Sequence, residues 1–134
     1  MPETLAGREI VLAGGAGGIG AAVASLLSAE GARLVISYCR NERRADRWRA
    51  SATVVQADIT QAEDRARLLD AAPVLYGLVV LTGDPARLSD PAAAMARSHD
   101  VNYLGPILLA REAAARMKAA YTPGAIVLTG TMQA

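Results

Sequence analysis

Apolar residues fall into short unbroken runs, separated by stretches in which they recur every three or four positions. That is the pattern of buried strands joined by amphipathic helices. Ile10-Val11-Leu12-Ala13 is the first run. It shows no polar alternation, as expected of a strand covered on both faces of a parallel sheet. Glycines stop it, and from Ile19 the residues Ile19, Val23, Leu26 and Leu27 keep helical spacing and are expected to be its buried face, until Gly31, which is placed to end the helix. Leu34 to Tyr38 is a second strand. Asn41 to Ala50 is arginine-rich and reads as a short solvated helix or loop, and Thr53 to Ala57 as a third strand. Thr60 with Glu63 fits a capping box, which predicts a helix starting at Thr60 with Leu68 and Leu69 on its buried side.

Val74 to Leu81 is the fourth strand, closed by Gly83-Asp84-Pro85. Asp90-Pro91 then opens a helix with a cap followed by proline in the first turn. This helix is expected to run to about Ala120 in two parts, because Pro106 has no N–H to offer the carbonyl of Asn102. Tyr121-Thr122-Pro123-Gly124 ends it, and Ala125 to Thr129 is a fifth strand. Strand alternating with helix predicts the α/β class: one domain over residues 1–134, a doubly wound parallel sheet with helices on both faces, stopping after the fifth strand.

Composition narrows the reading without redirecting it. Apolar residues make up 52% and charged residues 20% of the 134, with a formal net charge of +1, so neither disorder nor nucleic-acid binding is expected. Residues 10 to 29 are uncharged and long enough to span a membrane, but the five glycines between 14 and 20 would weaken such a helix, and no membrane association is expected. Cys39 is the single cysteine, so no intrachain disulfide can form, and no basic segment leads into an apolar run at the N-terminus. The expected location is cytoplasmic. His99 and Cys39 have no companions at metal-binding or catalytic spacing and are expected to be bystanders.

Chemistry concentrates in the first turn. Gly14-Gly15-Ala16-Gly17-Gly18-Ile19-Gly20 lies between a buried strand and an amphipathic helix. There, backbone N–H groups and a helix N-terminus can approach a pyrophosphate that side chains would block. The spacing of Gly14, Gly18 and Gly20 resembles the G-x-x-x-G-x-G of the short-chain dehydrogenase/reductase family, with Ala13 in place of the usual threonine. The resemblance implies a Rossmann fold and dinucleotide binding by Gly14, Ala16, Gly18, Ile19 and Gly20. It makes Asp58, in Gln56-Ala57-Asp58-Ile59-Thr60, the acidic residue at the adenine ring, with Ile59 beside it. Asp100-Val101-Asn102-Tyr103-Leu104-Gly105 resembles the central-helix motif, so Asn102 stands where the family's catalytic asparagine holds a water through its main-chain carbonyl. Thr131, after Gly124 to Gly130, occupies the place of the catalytic serine.

Two departures qualify that likeness. Where the family has Asn-Asn-Ala-Gly after the fourth strand, this chain has Val80-Leu81-Thr82-Gly83. Thr82 and Gly83 are expected to pass the cofactor, but without the polar support of the two amides. The family's Tyr-x-x-x-Lys is missing from these residues: Lys118 is the sole lysine, and Ala114 stands four positions before it. In the family that pair would fall roughly ten residues beyond Ala134, so the likeness covers about half of a family member.

The place where NAD-specific relatives carry a carboxylate, the end of the second strand, holds Tyr38, followed by Arg40 with Arg43 or Arg44 behind it. A 2′-phosphate would meet charge-assisted hydrogen bonds there, which favours NADP(H) over NAD(H). The resemblance therefore implies an NAD(P)-dependent oxidoreductase acting on a small carbonyl or alcohol substrate, the chain by itself lacking turnover. The alternative is a non-catalytic dinucleotide-binding module. A nucleotide-sugar epimerase is disfavoured, since extended relatives space the glycines two and two. A sheet that stops at the fifth strand exposes an edge, so a homo-oligomer is expected.

Overall fold

The computed structural model describes residues 4–84 and 87–130. Five strands form its sheet: β1 (Glu9–Ala13), β2 (Arg33–Tyr38), β3 (Thr53–Gln56), β4 (Leu75–Val80) and β5 (Ala125–Leu128). They lie in the order β3-β2-β1-β4-β5, and every neighbouring pair is parallel. The order reverses between β1 and β4: from β1 the chain builds outward through β2 to β3, and β4 and β5 add on the other side. This is the doubly wound Rossmann arrangement, which opens a crevice at the carboxyl ends of the strands.

The centre of the sheet is buried on both faces, as the unbroken apolar runs require. Val11, Ala13, Val35 and Leu78 point to one side and pack with Leu68, Leu69, Leu109, Ala113 and Met117 from the helices α3 (Ala62–Asp70) and α5 (Gly105–Ala119). Ile10, Leu12, Leu34 and Ile36 point to the other, against Ala24 of α1 (Gly18–Ala29) and the ring of Trp48. Trp48 follows α2 (Glu42–Asp46), which settles the arginine-rich stretch, expected as helix or loop, as a short helix capped by Asn41 Oδ1 accepting from the Arg44 N–H.

Three local expectations need correction. The buried residues of α1 are Gly20 and Ala24, with Val23 and Leu27 half-buried, whereas Ile19 is 75% and Leu26 69% exposed. The helix lies so close to the sheet that its contact face is made of its smallest residues. α3 starts at Ala62, with Gln61 in the capping position and no side-chain cap. The Thr60 hydroxyl instead donates to Asp58 Oδ1 at 2.7 Å, which takes it out of the proposed capping box. The division of the central helix falls in a π-helical segment, Asp100–Leu104, between α4 (Pro91–His99) and α5, where the Gly105 N–H reaches back to the Asp100 carbonyl. Pro106 lies in the first turn of α5, immediately after this widened segment.

Other expectations stand. Gly31 follows α1, its N–H bonding the Ser28 carbonyl while the Ala32 N–H bonds that of Leu27. Asp90 caps α4 by accepting from the Ala93 N–H at 3.0 Å, with Pro91 in the first turn. Among the described residues no helix is long and apolar enough to cross a membrane.

Candidate functional site

At the carboxyl ends of β1 to β4 the loops enclose a cavity of about 340 Å³. Its floor is the glycine turn. Gly14 has φ +81°, which a side chain would strain, and a Cβ there would lie 2.9 Å from the backbone nitrogen of Thr82 on the neighbouring β4 loop. The Gly14 N–H donates to the buried Ser37 hydroxyl of β2 at 3.2 Å, so two strands fix the start of the turn. A Cβ on Gly20 would come 2.6 Å from the Cα of Gly15, which makes this glycine the point where α1 closes onto the turn. Above Gly18 the space is open. No side chain caps the first turn of α1, so its leading N–H groups remain available for an anion.

The walls come from the other loops. Tyr38, Cys39, Arg40, Asn41 and Arg44 rise from the end of β2, and Ala57, Asp58 and Ile59 from the end of β3. The third wall runs from Leu81 to Asp84, faced by Arg97 and Val101 of the central helix. Asp58 is held in a tight turn, its Oδ1 accepting from the Thr60 N–H at 3.0 Å and from the Thr60 hydroxyl, while its own N–H donates to Asp64 Oδ2 at 2.8 Å. That donated bond holds the Asp64 carboxyl below the usual carboxylate range. Burial, and then the carboxylate of Asp58, push the Cys39 thiol up, so it is not poised as a nucleophile.

Most of the residues selected from sequence converge on this cavity. Gly14, Ala16, Tyr38, Arg40, Asp58, Ile59, Thr82 and Gly83 line it. Gly18 and Gly20 shape the turn beside it, and the Ile19 side chain points to solvent. Asn102 stands apart from the lining: its Oδ1 accepts from the Asp84 N–H at 2.9 Å and its Nδ2 donates to the Asp84 carbonyl at 2.8 Å and to Ser98 Oγ at 3.2 Å. Thr131, Pro85 and Met1 to Glu3 lie outside the described residues.

The end of β4 and its loop have Val80 and Leu81 where the family has two amides. The Thr82 hydroxyl is buried without a hydrogen-bond partner. Thr129, just past β5, donates its hydroxyl to the Val80 carbonyl at 2.8 Å and so ties the two strand ends together. Sequence reasoning also missed Ser37, Arg97 and Asp84. Arg97 Nε meets Asp84 Oδ2 at 2.6 Å inside the cavity wall. Ser37 was signalled by a small hydroxyl within a buried strand.

Does a dinucleotide fit? The open space over Gly18, the uncapped start of α1 and the close backbone approach at Gly14 form a cradle for a pyrophosphate. Among the described residues no group of acidic, histidine or cysteine side chains could hold a metal ion.

The comparisons agree with this geometry. The profile of the short chain dehydrogenase family matches residues 8–134. An uncharacterized oxidoreductase of Methylorubrum extorquens is 32% identical over 126 residues, 84% of this chain and 50% of its own length. The NADPH-dependent aldehyde reductase 2, chloroplastic, of Arabidopsis thaliana is 30% identical, over 87% of this chain and 53% of its own. A solved short chain dehydrogenase/reductase family protein superimposes with a TM-score of 0.80 at 32% identity, covering 94% of this chain and 56% of that one. The chain thus spans about half the length of the relatives it matches. With the glycine turn, the strand order and 127 of its residues matched, the chain belongs to the short chain dehydrogenase family.

Proposed function

We propose that residues 1–134 form one dinucleotide-binding domain of an NADP(H)-dependent oxidoreductase, a cytoplasmic and homo-oligomeric enzyme that interconverts a small carbonyl and its alcohol. The observation that carries the cofactor choice is the end of β2. Tyr38, Arg40, Asn41 and Arg44 line the cavity there, with no carboxylate on that strand end to repel a 2′-phosphate. Of the arginines behind Arg40, it is Arg44 that lines the cavity. The aldehyde reductase among the relatives is NADPH-dependent by name, in line with this reading.

The nicotinamide ring, when bound, supplies the hydride. This chain's residues bind and orient it: the glycine turn takes the pyrophosphate, Asp58 and Ile59 flank the adenine, Thr82 and Gly83 pass the ribose, and Arg40 with Arg44 holds the 2′-phosphate. Asn102 would hold a water at its main-chain carbonyl, since residue 106 is proline and has no N–H to offer it. Thr131 would hydrogen-bond the substrate oxygen. One feature favours a second reading, binding without turnover: Val80 and Leu81 replace the paired amides, leaving the Thr82 hydroxyl unpartnered.

Fluorescence titration of NADPH and NADH against wild type and Arg40→Glu tests the assignment. Wild type is expected to bind NADPH more tightly, and Arg40→Glu to lose that preference. Equal affinity of the wild type for both would overturn it, and turnover of a ketone or alcohol panel separates the enzyme from the binding module.

A further inference from the structure

Arg65 is an arginine in the wrong place for a surface helix. It lies on α3 facing inward, only 5% exposed, and is buried together with Leu68 and Leu69 of the same helix. Its Nε meets both oxygens of Glu112 on α5, at 3.1 and 3.0 Å, and its Nη1 donates to the Ile59 carbonyl at 2.9 Å. Ile59 is the last residue of the β3 wall of the cavity. The same carbonyl is approached from the far side by Gly105, where a Cβ would lie 3.1 Å away. The wall at Ile59 is therefore gripped between α3 and the start of α5.

A buried guanidinium is a poor device for stability alone. Desolvating it costs more than an apolar side chain of the same volume would, and its partner Glu112 is 39% exposed, so solvent weakens the attraction that would offset that cost. What an apolar residue cannot do is donate to the Ile59 carbonyl. A planar cation anchored on a carboxylate has a fixed direction in which to present its remaining N–H groups. Asp58, one residue earlier, is locked independently by Asp64 and Thr60, so the pair adds restraint where the turn's own hydrogen bonds end.

We propose that Arg65, anchored by Glu112, is a positioning residue for the cofactor: it fixes the Ile59 carbonyl and so holds the adenine wall of the cavity in register with the central helix. This rests on the reading of the cavity as a dinucleotide site. Arg65 itself touches no cofactor, and its effect passes through Ile59.

The test uses the full natural chain carrying these residues, with Arg65→Met, Arg65→Lys and Glu112→Gln. Hydrogen exchange of the backbone amides reads the wall without any ligand. The Met variant is expected to exchange faster at Asp58 to Thr60 while the amides of Gly14 to Gly20 stay unchanged, and its thermal midpoint to hold or rise. Binding of adenosine 2′,5′-bisphosphate should weaken about tenfold, within the range of effects passed on through a positioning residue, with nicotinamide mononucleotide binding unaltered. Arg65→Lys keeps the charge but not the fork and should recover only part of the loss, and Glu112→Gln should fall between. Unchanged exchange at Asp58 to Thr60 in Arg65→Met, or equal loss of affinity for both half-cofactors, would overturn the proposal. Should Arg65→Met fail to fold, Glu112→Gln alone decides it by the same two readings. A wild type that binds neither half-cofactor nor a dinucleotide would instead overturn the reading of the cavity, and the exchange data would still judge the wall.

Discussion

The side chain of Asn102 and the backbone of Asp84 exchange two hydrogen bonds, 2.9 Å into Oδ1 and 2.8 Å from Nδ2, as one strand pairs with another. The side-chain amide of Asn102 thereby ties the β4 loop to the π-helical segment. Asn102→Ala should lower stability by about 1–2 kcal/mol, as for two partly solvated hydrogen bonds, and loosen the cavity wall at Gly83. Urea unfolding with cofactor titration checks both. Unaltered stability would mean that water replaces the pairing at no cost.

Two glycines of the first turn should fail in different ways. Gly14→Ala places a Cβ 2.9 Å from the Thr82 nitrogen at φ +81°, so it should cost roughly 1–3 kcal/mol of stability. Gly18→Val meets open space, and its backbone needs no special conformation. It should fold normally and lose dinucleotide binding, because the new methyl groups fill the space over the helix N-terminus. Thermal melts paired with NADPH titration separate the two, and an unchanged affinity in Gly18→Val would show that no phosphate sits there.

Acid should weaken the β3 loop through Asp64. Its carboxyl is held below the ordinary 3.8, first by the Asp58 N–H and then by Arg67, so the ionised form favours the folded state. That contribution is present above the unfolded value and is lost as pH falls through the lower folded value. Wild type should therefore exceed Asp64→Asn in melting temperature at pH 6, and the gap should close towards pH 3. A gap that does not narrow at all as the pH falls below 3.8 would remove charge from the explanation.

Residues 1–134 alone are expected to bind a dinucleotide at best weakly and to show no dehydrogenase turnover, since no Tyr-x-x-x-Lys pair occurs in them. General acid catalysis of this kind commonly supplies ~10²–10⁴-fold. They should also self-associate: three of four residues in edge strand β5 are exposed, and Ile19 and Leu26 lie bare on α1. Light scattering and a ketone panel with NADPH are the checks. A monodisperse monomer that turns over would defeat both expectations.

The strands were legible because burial on both faces leaves an unbroken apolar signature, and the glycine turn because tight backbone approach admits nothing else. The contact face of α1 was not. Spacing marked Ile19 and Leu26 as core, but the helix sits so close to the sheet that Gly20 and Ala24 make the contact and the larger residues turn outward. The Thr60–Glu63 pattern misled because Asp58, two residues upstream, competes for the same hydroxyl. Arg97 and Asp84 were invisible for another reason. Their pairing joins a loop to a helix 13 residues away, and no local spacing encodes it.

The π-helical segment at Asp100–Leu104 also sets a phase. Each residue advances an α-helix by about 100°, so one residue more or less turns everything downstream by that angle. Leu109, Ala113 and Met117, spaced by four, are buried on α5, whereas α4 buries none of its residues. A π-helical turn holds one residue more than an α-helical turn, so losing one residue between 100 and 104 would let this segment close to an α-helical turn with the stripe still on the sheet, whereas losing one from the α-helical turns that follow would rotate it away. The widened turn works as an indexing joint that takes up a residue without disturbing what lies beyond it.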